Sequence, residues 1–319
     1  MKGADLVMIS NVAGAEGVEN DQALKLEHVT ACPLCESRRG NFVGRSRDDR
    51  FGYPGEFEVF QCEACGLSYL RTRIREGSLR ELYTRYYRTA PCFRSTSLLK
   101  EVLMRALRPL YPDTVSRMDC VGHSDILEIG PGARPLPDRL SHRFEHYRAV
   151  EFDGKALGEL RERFGEGNVF SSLQEARESV MGVPVTCCVA DQVLEHMYHP
   201  MAFLGEIRAL VGSGTTVILS TPNTQSRFVK IHSMGWTGWH LPYHVALFNP
   251  ASMRFLAKAC GFKILSLQSW TPGSWLRFQM ASAGKKWPLS GVITTRFRDV
   301  SPFHTGLDGD VLYCRLQKI

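Results

Sequence analysis

Two cysteine pairs, Cys32-Pro33-Leu34-Cys35 and Cys62-Glu63-Ala64-Cys65, constrain the N-terminal part of this chain more than any other feature. Thiols two residues apart can grip one metal from a single tight turn. Two such turns, brought together, complete a tetrahedral four-thiolate zinc site with no position left for water. The spacing therefore predicts a zinc ribbon over residues 28–75, with a structural metal. Phe57-Glu58-Val59-Phe60-Gln61 alternates as a strand leading into the second knuckle, and Gly66 turns the chain back before Leu67-Ser68-Tyr69-Leu70.

Ribbons often read nucleic acid, and charge bears on that. Between Glu36 and Arg75 eight arginines face six carboxylates, so the segment carries only about +2. Tracking a phosphate backbone needs several uncompensated cations. The whole chain has a formal net charge of +6, a mild excess for 319 residues. Nucleic acid is therefore disfavoured as a partner. The remaining cysteines (Cys92, Cys120, Cys187, Cys188, Cys260, Cys314) are scattered and suit buried reduced thiols in a cytoplasmic protein. No apolar run is long enough to span a membrane. Residues 1–27 carry Asp5, Glu16, Glu19 and Asp21 and read as a flexible leader rather than a secretory signal.

Residues 76–118 read as a helical linker or cap. Leu98, Leu99, Val102, Leu103, Ala106, Leu107 and Leu110 fall on one face, and Leu82, Tyr83, Tyr86 and Tyr87 suggest a shorter amphipathic stretch. From residue 119 to 319 strands and helices alternate, the pattern of a parallel sheet covered on both faces. Strands are expected at Asp125–Ile129, Tyr147–Glu151, Val185–Ala190, Thr215–Ser220, Phe262–Trp270 and Val311–Lys318. Helices are expected after Pro200 and after the cap Asn249-Pro250, the latter ending at Gly261. Asp308 and Asp310 read as turn residues.

Glu128-Ile129-Gly130-Pro131-Gly132 follows the first of these strands. Glycines there let the backbone turn sharply and come close to a ligand. Glu151 ends the next strand, at a distance that suits a carboxylate accepting ribose hydroxyls. The third glycine of a pyrophosphate-binding loop is missing, since position 135 is proline, so a nucleoside without a diphosphate fits better. Asp191-Gln192-Val193-Leu194-Glu195-His196 places polar groups at the carboxyl end of the third apolar strand, where open α/β sheets bind ligands.

Taken with Ser220-Thr221-Pro222-Asn223, Trp239-His240-Leu241-Pro242-Tyr243-His244, Leu247-Phe248-Asn249 and Ala259-Cys260-Gly261-Phe262, these motifs cover about two-thirds of the chain. As a set they resemble class I S-adenosylmethionine-dependent methyltransferases of the ubiquinone/menaquinone-type branch. The cysteine ribbon, with Cys-Gly-Leu at its second knuckle, resembles that of ribbon-bearing bacterial methyltransferases acting on sugars and secondary metabolites.

The resemblance implies an α/β fold: a Rossmann-like, mostly parallel seven-stranded sheet with an antiparallel last strand, plus a small zinc ribbon and a helical linker. It implies S-adenosylmethionine as cofactor, held by Glu128, Gly130, Pro131, Gly132, Glu151, Phe152, Asp191 and Gln192. Structural zinc would be held by Cys32, Cys35, Cys62 and Cys65. His196 and His244 are candidate catalytic groups near the transferred methyl, and imidazoles titrate near neutral pH as a general base should. Trp239 and Tyr243, with Trp236, are candidate walls of the acceptor pocket, although a lid packed on the core would use the same residues. The expected reaction is methylation of a hydroxyl on a small-molecule acceptor. RNA methylation guided by the ribbon, N- or C-methylation, and cofactor binding without turnover are the competing readings.

Overall fold

The computed structural model describes residues 24–87, 120, 122–140, 144–180, 185–275 and 306–319. Most of the expected leader, the apolar helical face from Leu98 to Leu110 and Cys92 fall outside them.

The N-terminal part is built of β1 (Leu26–His28), β2 (Gly40–Ser46), β3 (Phe57–Cys62), β4 (Ser68–Leu70) and β5 (Thr72–Ile74), followed by helix α1 (Leu79–Tyr86). β1 pairs antiparallel with β5, and β2, β3 and β4 form a meander. Gly66 takes φ +78°, the left-handed conformation its knuckle requires.

The larger part begins with β6 (Asp125–Ile129), α2 (Leu136–Arg139) and β7 (His146–Val150). It continues through α3 (Gly154–Phe164), β8 (Val169–Phe170), α4 (Leu173–Ser179), β9 (Cys187–Asp191), α5 (Pro200–Leu210) and β10 (Thr216–Pro222). The chain then passes through α6 (Arg227–His232), β11 (Ala246–Leu247), α7 (Pro250–Ala259), β12 (Phe262–Trp270) and β13 (Val311–Lys318). Seven strands form one sheet in the order β12-β13-β10-β9-β6-β7-β8. β8, β7, β6, β9 and β10 run parallel, and β13 lies antiparallel between β10 and β12. The expected α/β architecture with an antiparallel last strand is therefore present. Strand order reverses between β6 and β9, so the crevice for a ligand opens beyond their carboxyl ends.

The local signals are obeyed where they are strong. Asp153 caps α3 by accepting from Lys155 N and Ala156 N, and Asn249 caps α7 in a reciprocal box with Ser252. β9 is buried along its apolar run and begins two residues later than expected.

The two parts share a sheet and a core. β11, which follows the 236–244 loop, pairs antiparallel with β4 of the ribbon, giving a second sheet of order β11-β4-β3-β2. Asn249 Nδ2 donates to Gly66 O at 2.8 Å, tying the cap of α7 to the second cysteine knuckle. Cys32, Cys62 and Cys65 pack in one cluster with Leu127, Met197 and Phe248.

Asp308 and Asp310 do more than turn the chain. Asp310 is fully buried and accepts from Ser226 Oγ (2.6 Å) and Trp236 Nε1 (2.8 Å), while Asp308 O accepts from Arg227 N. The pair stands in the bend before β13, as expected, and adds a contact there: an apolar loop and β13 are joined through a buried carboxylate, which needs such donors to lie inside.

Candidate active site

The glycine loop leaves β6 with Gly130 at φ +67° and Gly132 at φ +58°. A Cβ on Gly130 would stand 2.8 Å from Val193 Cγ2, so close packing against the β9 loop demands glycine there. A Cβ on Gly132 would meet nothing within 4 Å, so that position borders open space. Glu151 closes the loop from the end of β7. Its carboxylate accepts from Gly132 N, Phe152 N and Asp153 N, each at 2.8 Å. Burial pushes its carboxyl upward against those three donors. Three bonds leave acceptor capacity on the carboxylate for ribose hydroxyls.

On the other side of the switch point, Gln192 holds a left-handed φ of +58° and bonds through its backbone and side chain to Ser220. Asp191 accepts the Ser220 hydroxyl. A non-glycine residue held there is strain kept in place by its surroundings, as happens where a ligand must be met.

Between these two edges lies a residue the sequence reading did not single out. Arg139 of α2 bridges Glu128 Oε1 at 2.6 Å and Asp191 Oδ2 at 2.7 Å. Glu128 also accepts from Leu136 N (2.8 Å) and Tyr147 Oη (2.6 Å). Burial raises the Glu128 carboxyl despite its arginine, and the two carboxylates outweigh burial to raise Arg139. Glu128 thus spends its lone pairs fixing the first turn of α2 beneath the loop. The balance of Glu128, Glu151 and Asp191 against Arg139 leaves the crevice negative, which favours a cationic sulfonium ligand.

Next to this crevice the structure brings the two predicted histidines together. His196 sits in a 3-10 turn (Leu194–His196) after β9, and His244 in the loop before β11; their rings are 4.8 Å apart at 81°. His196 Nδ1 lies 3.1 Å from Tyr243 O and 3.2 Å from Tyr83 Oη, and His244 Nδ1 lies 2.9 Å from Gly238 O. A carbonyl can only accept, which assigns the proton of each ring to Nδ1 and the lone pair to Nε2. Burial lowers His196 to about 4 and holds His244 and His240 well below the usual imidazole range.

Glu195, part of the quoted Asp191–His196 motif but given no role of its own there, is wholly buried beside them. It accepts from Thr221 Oγ1 at 3.1 Å through Oε2, and its Oε1 lies 4.0 Å from His244 Nε2. Burial lifts its carboxyl to about 8.

Of the aromatic candidates, Tyr243 adjoins the histidines. Its ring lies 5.0 Å from His240, 5.5 Å from Tyr83 of α1 and 5.2 Å from Phe51 of the ribbon. Its hydroxyl is buried with no hydrogen-bond partner among the described residues. Trp239 instead donates to Ser233 O and stands edge-on to Trp236, which is anchored on Asp310; these two indoles hold the loop to the core.

The four cysteine sulfurs converge. Cys32 Sγ and Cys65 Sγ are 3.6 Å apart, and Cys35 Sγ and Cys62 Sγ 3.4 Å. Zinc–sulfur bonds of about 2.3 Å give tetrahedral edges of roughly 3.8 Å, so the set fits a structural zinc after slight expansion.

A family model described as "Methyltransferase domain" matches residues 96–267. No curated protein matches the chain. Among solved structures it is similar to a SAM-dependent methyltransferase from Archaeoglobus fulgidus, at 14% identity and TM-score 0.41, over 69% of this chain and 94% of that one. It is similar to another from Thermotoga maritima, at 14% identity and TM-score 0.42, over 69% and 95%. A third, from Mesorhizobium loti, is matched at 12% identity and TM-score 0.38, over 67% and 96%. With a family model covering more than half of its length, the chain belongs to the class I S-adenosylmethionine-dependent methyltransferases.

Proposed function

We propose that this enzyme transfers the methyl group of S-adenosylmethionine to a hydroxyl of a small molecule, a sugar or secondary metabolite. The supporting observation is the pair His196 and His244, two neutral imidazoles beside the negative crevice, His244 buried and His196 partly so. The sulfonium brings its own leaving group, so the protein's task is to align the acceptor oxygen with the methyl carbon and keep water out. Gly130, Pro131 and Gly132 would face the methionine part, Glu151 the ribose, and Asp191 and Gln192 the methionine side. Tyr83, Tyr243 and Phe51 would wall the acceptor side, so that ribbon, linker helix and loop each contribute a ring.

A hydroxyl must shed its proton as the methyl arrives, and the free Nε2 of a neutral imidazole can meet it, though burial makes both rings weaker bases than the near-neutral range expected from sequence. That requirement favours oxygen over an uncharged amine acceptor, which can attack with its lone pair before losing a proton.

The test has two arms. Calorimetry should show wild-type protein binding S-adenosylmethionine, with Glu151→Ala binding at least tenfold more weakly. Incubation with polyhydroxylated metabolites should yield S-adenosylhomocysteine and a methoxy product. Absence of cofactor binding in the wild type would sink the reading, and methyl groups found on nitrogen or carbon would overturn its choice of oxygen.

A further inference from the structure

The histidine pocket gathers acceptors. Glu195 Oε1 is buried and has no hydrogen-bond partner among the described residues. It faces His244 Nε2, a lone pair because Nδ1 gives its proton to Gly238 O. His196 offers its own Nε2 lone pair for the same reason, with Nδ1 committed to Tyr243 O. One ligand atom from each of these three residues lies within 4.8 Å of the other two. Acceptors turned toward one another in a buried site repel unless something positive or donating stands among them. The backbone carbonyls behind each imidazole are the outer partners that fix tautomer and ring orientation in metal-binding histidines.

We infer that Glu195, His196 and His244 form a second metal site, for a divalent cation of the zinc or cobalt type, separate from the four cysteines. Two imidazoles and one carboxylate suit such borderline cations better than magnesium or calcium, which prefer all-oxygen sets. Three protein ligands leave a position open, as in catalytic rather than structural zinc sites. The ligands come from two pieces of chain: the turn after β9 and the loop before β11. A cation would therefore also pin the loop against the sheet. The site itself needs no acceptor; only the identity of its open-position ligand rests on the methyl-transfer reading. Under that reading the open position would take the acceptor's oxygen: the cation would meet its lone pair and ease loss of its proton to solvent, a role that falls to the imidazoles only when the metal is absent.

The test uses the full chain with its four-cysteine site loaded with zinc. Co2+ is titrated by calorimetry while the visible spectrum is followed. The expected result is one cobalt equivalent beyond the zinc, with ligand-field bands and no thiolate-to-cobalt charge transfer. Glu195→Gln and His244→Gln should each weaken it by at least about tenfold, and His199→Ala, a half-exposed histidine at the start of α5, should leave it unchanged. S-adenosylmethionine binding in the same variants reports that they are folded, and its absence from the wild type would count against the methyl-transfer reading alone. No cobalt equivalent outside the thiolates, or equal affinity in both ligand variants, overturns the second site and leaves a water or a shared proton between Glu195 and His244.

Discussion

Arg139 is the residue on which the cofactor crevice turns. Its guanidinium sits 2.6 Å from Glu128 and 2.7 Å from Asp191, both almost wholly buried. Replacing it by methionine would leave two carboxylates facing each other without a cation. Breaking a buried pair in this way costs about 3–5 kcal/mol. Urea unfolding of Arg139→Met should show a loss of that size, with Arg139→Lys intermediate because one ammonium cannot reach both carboxylates as a planar fork does. A loss below about 1 kcal/mol would mean the bridge is not made in solution. Nothing in the sequence marks this arginine, since its partners lie 11 and 52 residues away. The left-handed turns at Gly130 and Gly132 and the strand-end place of Glu151 were legible because glycine freedom and strand-end carboxylates are local signals, whereas Glu128, expected among the cofactor residues, spends its oxygens on Leu136, Arg139 and Tyr147. Glu195 was passed over for the opposite reason: burial and a missing partner are properties of the folded chain, and only its neighbour His196 carries a recognisable chemistry.

At the scale of elements, the long regular pieces were readable and the shortest were not. α7 begins at the expected Asn249-Pro250, and β12 and β13 span the expected Phe262–Trp270 and Val311–Lys318. β8 and β11, two residues each, have no period to detect, yet β11 joins the ribbon to the rest of the molecule. Asn249 works at both ends of that joint. Its Oδ1 accepts from Ser252 N at 2.9 Å, and its Nδ2 donates to Gly66 O at 2.8 Å. Asn249→Asp keeps the cap but turns the second contact into oxygen against oxygen. It should destabilise the protein by about 1–2 kcal/mol even though aspartate is as good a cap as asparagine. Chemical denaturation would measure this, and an unchanged midpoint would show that the tie to the knuckle contributes nothing.

For the whole molecule, the shared sheet changes what the cysteine cluster stabilises. A ribbon folding by itself would melt alone on losing zinc, with the larger part untouched. Here Cys32, Cys62 and Cys65 lie in the core that holds Leu127, Met197 and Phe248, and β4 carries β11 immediately after His244. The loop after β2 reaches the same place: Asp48 ties down the Arg50, Phe51 and Tyr53 backbone, Arg50 donates to Thr237 O, and Phe51 packs on His240 and Tyr243. Without metal, thiolates crowded at 3.4–3.6 Å repel or protonate, and the knuckles lose the point that orients β3 and β4. Cys65→Ser, or a strong chelator, should therefore expose amide hydrogens of residues 240–248 to exchange together with those of β3 and β4. The crevice at β6 and β7, on the far side of β9 in the sheet, should keep most of its protection and its affinity for S-adenosylmethionine. Hydrogen exchange by mass spectrometry, run with and without the metal, separates the two cases. Deprotection confined to residues 28–75 would show that the pairing of β4 with β11 does not couple the zinc to the acceptor side of the site.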